Sequence, residues 1–275
     1  MHPNFFKKLG PINIKEIKSK IDCVPINIAE DQIFDDLVNI NQIDKNLLSF
    51  LYDKETVISD FNEDSTIICS EKKAKEIDEN KKILVVKNVQ KSVAEISNIF
   101  FRDFNKAELS QFDKPKIGKD CVIGDNVTIE NGVVIGNNVT IQHGAVIRNH
   151  CVIGSNSKIS ANSVVSHSII GENVYIGNNS SIGQRGFGFY LNKEHNINIY
   201  HTGRVIIQSM ASIGAGCSID RGSFSDTIIG VNTYLDNLCH IAHNVEIGNN
   251  CAFAAMTGVA GSAKVGNNVL TGGQV

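Results

Sequence analysis

Ile123-Gly-Asp-Asn-Val-Thr128 is followed, after one intervening hexad, by the near copy Ile135-Gly-Asn-Asn-Val-Thr140. Ile129 and Ile141 continue the same spacing, so an aliphatic anchor stands at every sixth position. Upstream the rhythm begins at Ile117, and downstream it runs through Ile147, Ile153, Ile159 and Val165. One residue drops out before Ile170, Ile176 and Ile182. After a break from Gln184 to Arg204 the anchors return at Ile207, Ile213 and Ile219, skip across Asp220–Ile228, and continue from Ile229 to Val265. A helix needs a period near 3.6 and a simple strand a period of 2, so neither explains a six-residue repeat. A short strand followed by a sharp turn does. The aliphatic side chain stacks inside a prism, while Gly, Asn and Asp supply turns that tolerate positive φ. Three hexads close one triangular coil, and coils stack as a solenoid. The expectation is a mainly β fold, a left-handed parallel β-helix over residues 117–275, with a loop insertion at 184–204.

Residues 1–105 do not follow that rhythm. Ser65–Ser70 and Lys82–Lys87 read as strands rich in Ile and Val. Ser92–Phe104 places Val93, Ile96, Ile99, Phe100 and Phe104 on one helical face. Helical turns are expected at Asn4–Leu9 and Ile14–Lys20. This is a small α/β domain, joined to the solenoid by a polar linker at 106–116 that contains Pro115.

The 275 residues carry a net charge of −3, which offers no basic field for nucleic acid or anionic membrane. Seven scattered cysteines without a C-x-x-C pair disfavour a disulfide framework or a zinc knuckle. No apolar run has the length of a membrane span, and the first residues lack the apolar core of a signal peptide. A cytoplasmic location is expected.

The interruptions carry the candidate chemistry. Gly186-Phe-Gly-Phe-Tyr190 sets aromatics among glycines, which suits either a loop packed on its own solenoid or a platform for an apolar ligand. His143, His150 and His167 occupy turn positions, where a histidine is usually a solvated corner residue. Leu235-Asp-Asn-Leu-Cys-His-Ile-Ala-His-Asn-Val-Glu-Ile-Gly248 packs two histidines, an acid and an amide into little more than two hexads. An imidazole there suits proton removal near neutral pH. Zinc is the rival reading, but no third ligand stands at a convincing distance from His240 and His243.

Together these stretches make the chain similar to the UDP-3-O-acylglucosamine N-acyltransferases of lipid A biosynthesis. The likeness rests on Asn4-Phe-Phe-Lys-Lys-Leu-Gly-Pro11, Gly183-Gln-Arg-Gly-Phe-Gly-Phe189 and Gly203-Arg-Val-Ile-Ile207. It rests also on Ser218-Ile-Asp-Arg-Gly222, Asp226-Thr-Ile-Ile-Gly230, Leu235-Asp-Asn237 and Ile241-Ala-His-Asn-Val245. The resemblance implies transfer of a 3-hydroxyacyl chain from acyl carrier protein, as a phosphopantetheine thioester, to the 2-amino group of UDP-3-O-(3-hydroxyacyl)glucosamine. It implies no other cofactor and no metal. It implies a homotrimer with active sites in clefts between prisms. His243 falls on the general base, Asp236 on an acid that orients it, and Gly261 on the amide that holds the thioester oxyanion. Phe187 and Phe189 are expected to line the cleft, with His240 and Asn244 contacting substrate.

The uracil site of the resemblance falls on Phe50-Leu-Tyr-Asp-Lys-Glu-Thr56. Phe50 is kept, Asp53 replaces an Asn, and Thr56 replaces a stacking Tyr; a continued strand is expected to aim Tyr52 away from Phe50. The chain stops in mid-repeat at Val275, so a C-terminally shortened solenoid is expected, without the coils that would gauge acyl length. Two other readings remain. One is a sugar-nucleotide N-acetyltransferase that uses acetyl-CoA. The other is a non-catalytic β-helical scaffold.

Overall fold

A computed structural model describes residues 5–55 and 64–275. The six-residue rhythm becomes a parallel β-helix of two-residue strands with a few longer ones. Three parallel sheets of eight, eight and seven strands form its faces among the described residues. The first face runs from Lys116–Ile117 to Lys264–Val265, the second from Val122–Ile123 to Leu270–Thr271, and the third from Thr128–Ile129 to Gly258–Val259. In the regular coils the register is eighteen residues, with Ile117 beside Ile135 and Ile123 beside Ile141. The residue lost before Ile170 shortens one step to seventeen, and Ile153 still meets Ile170.

Each anchor is the inward residue of its strand. From Ile135 to Phe253 every one is at most 3% exposed, and each buried aliphatic contributes about 1.5–3 kcal/mol. Three residues after the anchor the chain takes a left-handed conformation, at Asn126, Asn138, Asn156, Asn232 and Asn250 among others. Asparagine tolerates that region, and here it also stacks, with Asn138 Nδ2 donating to Asn156 Oδ1 and Asn232 Nδ2 to Asn250 Oδ1, each at 3.0 Å. The next residue turns back into the prism and must be small. That position holds Val139, Ala145, Ser157 and Thr233, and also Cys121, Cys151, Cys217, Cys239 and Cys251. Five of the seven cysteines are therefore packing residues of one repeat position. Burial pushes the Cys151 thiol up to about 12 and Cys217 to about 11, far from reactive thiolates.

The described residues divide into two compact units: 104–187 and 201–275 with Phe5 form the solenoid unit, and 6–103 with 188–200 form the other. In the second unit a five-stranded sheet includes Thr66–Cys69 and Lys82–Val86, and helices occupy Ile14–Lys20 and Val89–Phe100. Two expectations for this region are corrected. Lys7–Lys8 is a strand paired with Phe101–Arg102, not a helical turn. The long helix starts three residues early, capped by Asn88 on Lys91 N, and ends at Phe100. Phe104 leaves the helix and meets Phe112 edge-on at 4.9 Å in the solenoid unit. The segment read as a plain linker contains a helical turn, Lys106–Leu109, closed by an Asn105–Glu108 capping box. Of the insertion, residues 188–200 form a hairpin, Phe189–Tyr190 against Ile197–Asn198, that belongs to the second unit. It is held on the Val89–Phe100 helix by Gln90 and Asn98 donating to the carbonyls of Phe189 and Asn198. Among the described residues no helix is long and apolar enough to cross a membrane.

Candidate functional site

His243 lies two residues past the anchor Ile241, at the corner between the third and first faces. The next residue, Asn244, occupies the left-handed position with φ 62°. Its amide is fixed from several sides. Nδ2 donates to the carbonyl (3.2 Å) and hydroxyl (2.7 Å) of Ser225, and Oδ1 accepts from the N–H of Ser223 at 3.0 Å and from its hydroxyl. A backbone N–H can only donate and a carbonyl only accept, so the orientation of the amide is determined. Asn244 Oδ1 is also 2.9 Å from His243 Nδ1. In the neutral ring Nδ1 therefore carries the proton, and Nε2 keeps its lone pair. That is the form a general base requires. Asn244, expected to contact substrate, makes its hydrogen bonds within the corner, to Ser223, Ser225 and His243.

The skipped hexad at 220–226 exists to supply those partners. A Cβ on Gly222 or Gly203 would collide with Ser225 O, so both positions demand glycine. Arg204 braces the excursion, donating from its backbone N, Nε and Nη2 to the Asp226 carboxylate at 2.9, 3.0 and 2.5 Å.

Gly261 stands one coil beyond His243. Elsewhere the residue in that relation covers the turn beneath it: Asn137 caps Lys119 N, and His143 Nδ1 accepts from Asp125 N. Glycine leaves His243 uncovered. A Cβ at 261 would sit 2.9 Å from Cε1 and 3.0 Å from Nε2 of the ring, filling the approach to the base. On the other side Gly186 fits between two rings, where a Cβ would lie 2.6 Å from His243 Cβ and 3.0 Å from His201 Cε1. His201 is fully buried, and its ring meets His243 at 5.7 Å and 74°. Burial, aided by the Arg221 charge, drops its pKa to about 4. Sequence reading missed His201 and Gly186 as site residues, because both lie in a stretch without hexads and no spacing ties them to His243.

The other candidates separate. His240 points outward from the third face, with Nε2 3.2 Å from Asp220 Oδ2, while Gln184 donates to the other oxygen of that carboxylate. Among the described residues no group of three His, Cys, Asp or Glu is placed to hold a metal. Asp236 follows a strand of the second face, and its carboxylate accepts from Asn237 N. It does not orient His243 within this chain; Asn244 does. Asp236 lines instead a groove of about 550 Å³ with Tyr234, Ala252, Ala254 and Leu270. Phe187 is 81% exposed in the solenoid unit, whereas Phe189 is half-buried on the hairpin of the other unit.

In that second unit Phe50 is buried at the end of a strand, and Ser70 donates to Asp53 at 2.5 Å. Tyr52 does not face away: its ring lies 5.4 Å from Phe50. Residues two apart in extended chain share a face, so strand alternation itself sets Tyr52 on the side of Phe50. Thr56 lies outside the described residues.

Comparison with known proteins gives two kinds of similarity. The GMPPB C-terminal domain family matches residues 112–189, which stop short of His243. A UDP-3-O-acylglucosamine N-acyltransferase of Caulobacter vibrioides is 44% identical over 105 residues, 38% of this chain and 31% of that protein. UDP-3-O-acylglucosamine N-acyltransferase 2 of Sulfurimonas denitrificans is 52% identical over 93 residues, 34% of this chain and 29% of the relative. The matched region thus spans about a third of the length of these relatives. A UDP-N-acetylglucosamine O-acyltransferase structure from Moraxella catarrhalis is 31% identical, covers 55% of this chain and 58% of its own, and aligns with a TM-score of 0.35.

Proposed function

We propose that this chain carries the base of an N-acyltransferase that moves a 3-hydroxyacyl group from acyl carrier protein to the 2-amino group of UDP-3-O-(3-hydroxyacyl)glucosamine. The observation that carries the reading is His243, with Nδ1 tied to Asn244 and Nε2 left uncovered by Gly261. The names and identities of the curated relatives support the choice of substrate.

In this reading the sugar amine attacks the thioester carbon, and an N–C bond forms as the C–S bond breaks. His243 Nε2 takes the proton that the nitrogen sheds and returns it to the departing thiolate. Gly261 N–H is the donor for the carbonyl oxygen as negative charge gathers on it. Phe50, Tyr52 and Asp53 would receive the uracil end of the nucleotide sugar. The reaction would take place in the cytoplasm, and no resident cofactor is required. Asp236 and its groove lie on a different face from His243, which fits a trimer in which the second face of one prism meets the third face of a neighbour.

The test offers the UDP-sugar amine with either 3-hydroxyacyl carrier protein or acetyl-CoA. Amide formation from the carrier protein alone is the expected result. Transfer from acetyl-CoA alone would support the acetyltransferase reading, and transfer from neither, with unchanged behaviour on loss of His243, the scaffold.

A further inference from the structure

His201 has no part in the chemistry above, yet it is the most deeply buried histidine of the solenoid unit and touches the back of the base. Gly186 N lies 3.3 Å from His201 Nδ1, and Arg221 O lies 3.4 Å from the same atom. The two contacts exclude each other, because the first needs a lone pair on Nδ1 and the second needs its proton. Buried N–H groups are left unbonded more rarely than carbonyls. The Gly186 contact is the shorter of the two, and with it the ring proton resides on Nε2, an atom with no hydrogen-bond partner among the described residues. The opposite tautomer would strand both Gly186 N–H and the Nε2 lone pair. Arg221 Nε fixes the other end of the residue, donating to His201 O at 3.2 Å.

We infer that His201 is a positioning residue for His243: its Nδ1 pins Gly186 N–H, and the pinned glycine sets the wall against which the His243 side chain rests. The inference rests on the reading of His243 as the base. Its mechanical content comes from the glycine. Gly186 has no room for even a methyl group between the two rings, so a small displacement of its backbone must shift the His243 ring relative to Asn244. The surrounding charges act in one direction. Arg221, Arg185 and His243 all disfavour a positive charge on His201, which keeps the ring neutral, with a lone pair on one nitrogen.

The experiment compares His201→Asn, whose amide oxygen falls near the place of Nδ1, with His201→Phe, which keeps a ring but has no acceptor. Nitrogen-15 spectra of the imidazoles read the His243 tautomer directly, and turnover with the carrier-protein donor is read in parallel. Wild type and His201→Asn should show His243 in one form with its proton on Nδ1. His201→Phe should average the two tautomers and lower kcat about tenfold with little change in KM. If His201→Phe does not fold, His201→Gln replaces it, since the longer amide reaches the place of Nε2 instead. An unaltered His243 spectrum in the variant lacking the acceptor overturns the inference, as does a His201→Asn protein equally impaired. Should no donor be turned over by any version, the proposed function fails while the spectra still decide the role of His201.

Discussion

Asn244→Asp separates the orienting role of this residue from its part in the fold. The carboxylate keeps an acceptor 2.9 Å from His243 Nδ1 and keeps the bond from Ser223 N–H. It gives up two donations: the Ser225 hydroxyl, at 2.7 Å, can rotate to donate in return, but the Ser225 carbonyl, at 3.2 Å, cannot. The principal change is thus a full negative charge beside the imidazole. An opposite charge at such range raises a histidine pKa by about 1–3 units, and partial exposure of the corner favours the lower part, ~1–2. That corresponds to about 1.4–2.7 kcal/mol in favour of the imidazolium. Because the base works only when neutral, the acid limb of kcat/KM should move up by ~1–2 pH units. Activity on the acid side should fall and then recover toward the wild-type value as the pH is raised. The assay is a pH–rate profile under subsaturating sugar, with imidazole titration by NMR on the same samples. An unmoved acid limb in a folded variant would refute the claim that Asn244 Oδ1 faces the working imidazole.

Two further substitutions probe the same corner. Gly261→Ala sets a methyl 3.0 Å from His243 Nε2, so kcat/KM should fall by about two powers of ten, some 2.7 kcal/mol, with thermal stability nearly kept; near-normal kcat/KM would show that substrate reaches the base from elsewhere. Acid stability tests His201. Its folded-state pKa of about 4 lies below the ordinary 6.5, so the unfolded chain binds the extra proton between those values and stability falls as pH drops through that window. The loss from this group is about 3 kcal/mol and is complete near pH 4. Urea unfolding at pH 7, 5 and 4 should show a shallower pH dependence for His201→Asn than for wild type, and equal slopes would mean that His201 is not held neutral.

The fold was legible because its determinant is periodic. Every anchor from Ile135 to Phe253 lands inside the prism, and the left-handed turns fall at one position of the hexad. The same periodicity explains Cys151, Cys217, Cys239 and Cys251, which looked scattered only until each was counted from its anchor. The site was legible in part. His243 and Gly261 stand exactly one coil apart, a relation that eighteen residues of separation encode directly. Asn244 was seen, but its partners Ser223 and Ser225 arrive through the skipped hexad, where counting fails. His201 and Gly186 are brought to His243 by the ends of the insertion at 184–204, and only three-dimensional closure records that. Asp236 shows the converse: seven residues from His243 in sequence, it belongs to a different face, because a prism turns a corner every six residues.

The most direct test of the account is the rate of acyl transfer to UDP-3-O-(3-hydroxyacyl)glucosamine for the wild-type chain, His243→Ala and His240→Ala, measured side by side with carrier-protein donor. The account predicts a loss of two or more powers of ten in kcat for His243→Ala with substrate affinity kept, and a far smaller effect for His240→Ala, whose ring faces Asp220. Retained turnover in His243→Ala together with its loss in His240→Ala would contradict the account and move the base to the outer face of the third sheet.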